Sequence, residues 1–167
     1  MKYIIKNKII SWGAGSTVRD EAGNDLYTVK GSLSFVRKKM IRDMQGNTLY
    51  VVKNKFFHIL FPKVFICDAE GKKLMMLKRK KVLTFRNDFS IIPQEGFDCN
   101  FSITGDIIAR HFDIIENGVQ IAHVRQNFNL IKDSFWLETE ATDKVPLLLA
   151  FVIAIDNFID DTQDSYR

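Results

Sequence analysis

Short apolar runs alternate with polar turns along most of this chain, and one such unit recurs. VRDEAGNDLYTVK (residues 18–30), IRDMQGNTLYVVK (41–53) and ICDAEGKKLMMLK (66–78) align Asp20, Asp43 and Asp68, then Gly23, Gly46 and Gly71, then Leu26, Leu49 and Leu74. Each closes on a lysine: Lys30, Lys53 or Lys78. A looser copy, IIENGVQIAHVR (114–125), places Gly118, Ile121 and Arg125 in the same order. The first three glycines lie 23 and 25 residues apart, the spacing of repeated supersecondary units. Each unit predicts a β-hairpin, with β-rich runs on either side of a polar turn. The glycine supplies the positive φ that such a turn demands. The aspartates then have a structural task, accepting hydrogen bonds from the turn backbone.

Other segments also predict strands. Phe135, Leu137 and Thr139 alternate with Trp136, Glu138 and Glu140, the two-residue period of a strand with unlike faces. Phe56–Phe61 is a β-rich apolar run stopped by Pro62. Ile108, Phe112 and Ile114 predict one side of a strand that also carries Arg110. About a dozen short strands separated by turns point to a sandwich or barrel.

The C-terminal part breaks the pattern. Leu147 to Ile155 is apolar without interruption, preceded by Pro146 and by Thr142 or Asp143 as caps. This predicts a helix from Asp143 to Ile159. A helix apolar on every side needs enclosure on every side, and a surrounding barrel provides it. A membrane anchor is the rival reading. The run is about half the ~20 residues a span requires, and Asp156, Asn157, Asp160 and Asp161 follow it directly.

The 167 residues suit a single domain over 1–167, with an ordinary globular composition of 46% hydrophobic and 26% charged residues. Charge changes the picture more. Residues 30–81 hold fourteen basic and three acidic side chains, a net of +11. Residues 82–167 hold six basic and fourteen acidic ones, a net of −8. Such asymmetry predicts a positive face toward phosphates, unless the fold mixes the two halves in space. Lys72, Lys73, Lys78, Arg79, Lys80 and Lys81 cluster on one expected hairpin, and Arg37, Lys38, Lys39 and Arg42 lie on or near an earlier one. All of these except Arg42 are the candidate lipid- or phosphate-binding residues, nine in number. Lysines on an exposed hairpin also keep an edge strand from pairing with other chains.

Catalytic chemistry has little support. The chain lacks a P-loop lysine motif, GxSxG and HExxH, and Gly13-Ala14-Gly15 is an ordinary turn signal. His111, His123 and Asp113 form a metal cluster only if two strands bring them together, and ordinary strand histidines are the simpler reading. Cys67 and Cys99 read as small apolar fillers in a reducing compartment. No catalytic residue, metal or cofactor is expected. Lys6 and Lys8 interrupt the apolar N-terminal residues, so no signal peptide is expected and the predicted location is the cytoplasm, with peripheral membrane contact.

Several segments carry a family resemblance: Met1-Lys2-Tyr3-Ile4-Ile5-Lys6-Asn7-Lys8, Trp12-Gly13, Val18 to Gly23, Tyr27 to Gly31, Ile41 to Asn47, Ile103 to Asp106, Val119 to Val124, and the final helix ending near Asp156. In this order the chain resembles a bacterial member of the LURP-one-related family, which shares the Tubby C-terminal-like fold with phospholipid scramblases. The resemblance implies a mainly β fold: a closed β-barrel of about twelve strands around one buried hydrophobic C-terminal helix. It implies no settled activity, and no calcium loop of Asp-x-Asp-x-Asp-Gly form is present. The expected function is a non-enzymatic binding module contacting anionic lipid head groups through its basic hairpin. The alternative is a scaffold that binds protein partners and no lipid. Nucleic acid is disfavoured because the acidic C-terminal part offsets the charge and no recognition motif occurs.

Overall fold

The computed structural model describes residues 1–6, 15–32, 38–55, 63–79, 89–127 and 134–164. Twelve strands follow in chain order: β1 (Lys2–Lys6), β2 (Ser16–Asp20), β3 (Asp25–Ser32), β4 (Lys38–Asp43), β5 (Thr48–Lys55), β6 (Lys63–Cys67), β7 (Lys73–Arg79), β8 (Phe89–Pro93), β9 (Phe101–Asp106), β10 (His111–Glu116), β11 (Val119–Asn127) and β12 (Ser134–Thr139). A 3-10 turn at Thr142–Lys144 leads into helix α1 (Val145–Asp164).

All neighbours are antiparallel, in the spatial order β8-β7-β6-β5-β4-β3-β2-β1-β12-β11-β10-β9. Chain neighbours are therefore sheet neighbours almost throughout, and β12 returns to β1. The barrel is nearly closed rather than closed, because β8 and β9 stand at the two ends of the sheet order. Aromatic rings from α1 fill the inside of this seam. Phe89 packs on Phe158 at 4.8 Å between ring centroids and Phe101 on Phe151 at 5.1 Å.

The repeats are real structural units. Asp20, Asp43 and Asp68 each accept a backbone N–H bond of 2.8 Å four residues on, from Asn24, Asn47 and Lys72. Gly23, Gly46 and Gly71 sit at φ +87°, +91° and +89°, and each N–H donates back to the aspartate carbonyl at 3.1 Å. Each hairpin slips register by one residue just before its turn, at Val18/Arg19, Ile41/Arg42 and Ile66/Cys67. A turn followed by a left-handed glycine forms such a bulge.

The core is the barrel interior around α1. Val145 and residues 147–159 are buried, so the enclosing demand of an all-apolar helix is met. No helix among the described residues is long and apolar enough to cross a membrane. The helix runs past the expected Ile159 to Asp164, and neither Thr142 nor Asp143 caps it through a side chain; Ala141 precedes the 3-10 turn instead. Ile108 and Arg110 lie in the β9–β10 turn rather than on a strand, with Ile108 exposed and Arg110 at φ +54°. The Arg110 guanidinium reaches buried Asp156 at 3.3 Å, tying that turn to the helix. The expected strand at Phe56–Phe61 lies outside the described residues.

Candidate anion-binding face

Strand alternation sorts β4 to β8 into an inner and an outer set. Ile41, Val52, Val64, Ile66, Met75 and Leu77 point into the barrel and are buried. Their neighbours Lys38, Met40 and Arg42, Val51 and Lys53, Lys63, Phe65 and Cys67, Met76 and Lys78 therefore form the outer face. The bulge in the β6–β7 pairing brings Lys73 opposite Cys67 onto the same face. At its centre Val51, Phe65 and Cys67 are buried, with Met40 and Met76 packed beside them. Lysine stems help cover this apolar stripe. The Lys73 ammonium stands 4.4 Å from the centroid of Phe65, and Lys53 donates to the Gly71 carbonyl at 3.0 Å. Burial pushes the Cys67 thiol above its ordinary pKa; nearby Lys53 opposes that shift, Asp68 adds to it, and Lys73 and Lys38 oppose it more weakly.

The register sets like charges against one another. Lys38 is the direct cross-strand partner of Lys53, and Lys63 of Lys78; Lys55 is the backbone partner of Lys63. Directly opposed like charges destabilise a sheet. No acidic residue occurs in β5, β6 or β7, and in β4 only Asp43 at the turn. Among the described residues no carboxylate pairs with Lys38, Lys53, Lys63, Lys73 or Lys78. Because consecutive strands are spatial neighbours, the basic stretch of sequence stays together and the two halves do not mix.

Four of the nine candidate residues prove informative here. Lys38, Lys73 and Lys78 stand on the outer face. Lys39 does not: its ammonium points inward and donates to Asn157 of α1 at 2.6 Å, since its neighbour Lys38 takes the outer position. Lys72 lies exposed in the β6–β7 turn, beside Gly96. Arg79 ends β7, while Arg37, Lys80 and Lys81 lie outside the described residues. Lys53 and Lys63 belong to the face and were missed. Their two-residue alternation with apolar neighbours was readable, but the partners that oppose them depend on register.

The opposite side of the barrel is mixed in charge. The β10–β11 register does bring His123 to Asp113, at 2.6 Å, and His111 to His123, at 4.8 Å between centroids. Among the described residues no group of three His, Cys, Asp or Glu side chains is spaced to hold a metal ion. Beside them Trp136 lies between Lys2, 4.2 Å from its ring centroid, and Arg125, at 4.5 Å. Glu138 pairs with both cations, at 3.6 and 2.9 Å. Charges here are answered internally, in contrast to the lysine face. Cys67 is buried and Cys99 half-buried, and burial raises both thiol pKa values, which suits fillers rather than nucleophiles.

A nearly closed antiparallel barrel that encloses its own C-terminal helix and presents a charged outer sheet fits a binding module. The LURP-one-related family profile matches residues 1–156, and the chain belongs to that family. An X-ray structure of a protein from Arabidopsis thaliana superposes with a TM-score of 0.62 over 94% of this chain and 90% of that one, at 16% identity. At that identity the likeness concerns the fold. No curated protein matches this sequence.

Proposed function

We propose that this protein is a non-enzymatic binding module whose outer β4–β7 face contacts anionic phospholipid at a membrane surface, from the cytoplasmic side. The carrying observation is the pair of direct cross-strand lysine couples, Lys38 with Lys53 and Lys63 with Lys78, around an apolar stripe, with no carboxylate among the described residues paired to any of the four. Such an arrangement costs folding energy and gains it back when anions arrive. Each lysine near an anionic surface contributes about 1 kcal/mol. The family and the barrel agree with a binding role, and the helix-filled interior leaves little room for a substrate.

Co-sedimentation with neutral and anionic vesicles at about 0.05 and about 0.5 M salt tests this. Binding to anionic vesicles alone, lost at high salt, is the expected result. The variant Lys38→Ser/Lys63→Ser/Lys78→Ser is expected to lose about 3 kcal/mol, roughly 150-fold in affinity. Equal binding to neutral vesicles, or none at low salt, would refute the proposal and favour a scaffold that seats a protein on the apolar stripe.

A further inference from the structure

Arg42 differs from the other arginines whose side chains are described. Arg19, Arg110 and Arg125 each pair with a carboxylate, on Asp25, Asp156 and Glu138. Arg42 pairs with none, and its guanidinium makes one contact, from Nη2 to the Met40 Sδ at 3.5 Å. A thioether is a weak acceptor. The Arg42 Nε is covered by protein and finds no acceptor. The stem is therefore packed down, and the donors left for another molecule are those of the terminal nitrogens.

The repeat supplies an internal reference. In the β2–β3 hairpin Arg19 is the register partner of Asp25 and pairs with it. In the β4–β5 hairpin the same position sets Arg42 against Thr48, and on its other side Arg42 opposes Thr28 of β3. Direct partners keep their Cβ atoms about 4.5–5.5 Å apart, so both hydroxyls come within reach of whatever the guanidinium holds. Arg42, Thr28 and Thr48 are half-buried, and among the described residues neither threonine hydroxyl has a hydrogen-bond partner. Exposed Lys30, opposite Met40, adds a cation on the diagonal, about 7–8 Å from Arg42. The neighbouring carboxylates are engaged elsewhere: Asp25 pairs with Arg19, and Asp43 accepts from the backbone and side-chain N–H groups of Asn47.

We propose that Arg42, with Thr28 and Thr48 on either side, is a seat for a phosphomonoester group at the edge of the lysine face. A tetrahedral phosphomonoester offers three terminal oxygens, enough for the guanidinium and for a hydroxyl on each side. The two coplanar oxygens of a carboxylate are taken up by the guanidinium alone. This rests on reading the outer face as the anion-binding one. The lysines attract by charge, and Arg42 adds selection by head-group chemistry.

The test compares the full chain on phosphatidylcholine vesicles carrying phosphatidic acid or phosphatidylserine at matched surface charge and low salt. Phosphorus NMR of free glycerol phosphate is the lipid-free arm. The native chain is expected to bind phosphatidic acid vesicles roughly tenfold tighter, the contribution of a charge-assisted hydrogen bond or two. Arg42→Lys keeps the charge and should lose the preference, because an ammonium lacks the fork of a guanidinium. Thr28→Val/Thr48→Val should lose most of it. Both variants should still bind phosphatidylserine vesicles, which also reports that they are folded. Glycerol phosphate should broaden with the native chain and not with Arg42→Lys; a vesicle preference without that response makes the lipid head group the source. Equal binding to both vesicles with no response of glycerol phosphate overturns the seat and leaves the lysine face standing. An Arg42→Lys variant that keeps the preference also overturns it. If glycerol phosphate responds and no vesicle is bound, the seat stands and the lipid reading falls.

Discussion

Lys63→Glu separates what the fold wants from what the face does. Lys63 opposes Lys78 directly in the β6–β7 ladder. A directly opposed pair is worth about 0.2–1 kcal/mol when the charges differ and costs a similar amount when they match. Exchanging one lysine for glutamate turns a repulsion into an attraction, a swing of about 0.4–2 kcal/mol, which solvent screening reduces to about 1 kcal/mol. For a domain of this size about 1 kcal/mol raises Tm by roughly 2–4 °C. The same exchange moves two charge units at a lipid-facing site, about 2 kcal/mol or roughly 30-fold in affinity. The variant is therefore expected to melt higher while binding anionic vesicles less. Circular dichroism melts at low and high salt and vesicle co-sedimentation report the two effects, and the gain in Tm should shrink as salt rises. A lower Tm, or an unchanged affinity, would show that Lys63 is not a functional charge held against the preference of the sheet.

Three further outcomes follow from the same structure. Phe151→Ala, at a fully buried ring against Phe101, should cost about 3–5 kcal/mol, read as a lower denaturation midpoint; a loss under about 1 kcal/mol would contradict the enclosed helix. Gly105→Ala should destabilise clearly, because Gly105 sits at φ +111° and a Cβ there would meet the His111 carbonyl at 2.7 Å; Gly31→Ala, with nothing within 4 Å, should be nearly neutral, and equal melts for the two variants would be the failing result. Hydrogen bonds from Asn24 and Asn47 hold the Asp20 and Asp43 carboxyls below the ordinary range. Their stabilisation is present above the unfolded value near about 4 and is lost as pH falls through the folded values; Asp20→Asn/Asp43→Asn should flatten that acid limb of a pH–Tm curve, and an unchanged limb would exclude the two turns as its source.

Much of the architecture was legible locally. Hairpins at the three Asp-to-Gly repeats follow from short-range chemistry, since a positive φ and an aspartate that bonds the backbone four residues on are decided within one turn. The helix was legible because nothing but enclosure suits an unbroken run from Leu147 to Ile155. Failures came where a local pattern had two outcomes. Ile108 and Phe112 matched a strand, yet the chain turns at Ile107–Arg110 so that Arg110 can reach Asp156, a partner 46 residues away.

The candidate site was legible as a composition and not as a surface. The amino-acid order alone determined that lysines crowd residues 30–81 and that acids follow, and alternation within each strand determined which residues share a side. Only the tertiary structure decided that these strands are consecutive in space, so that the charge gathers instead of mixing. It also decided that Lys38 faces Lys53 and Lys63 faces Lys78 while Lys39 turns inward to Asn157. Side-chain direction repeats every two residues and is local, whereas cross-strand register is set by bulges, turns and the packing of a whole sheet around one helix.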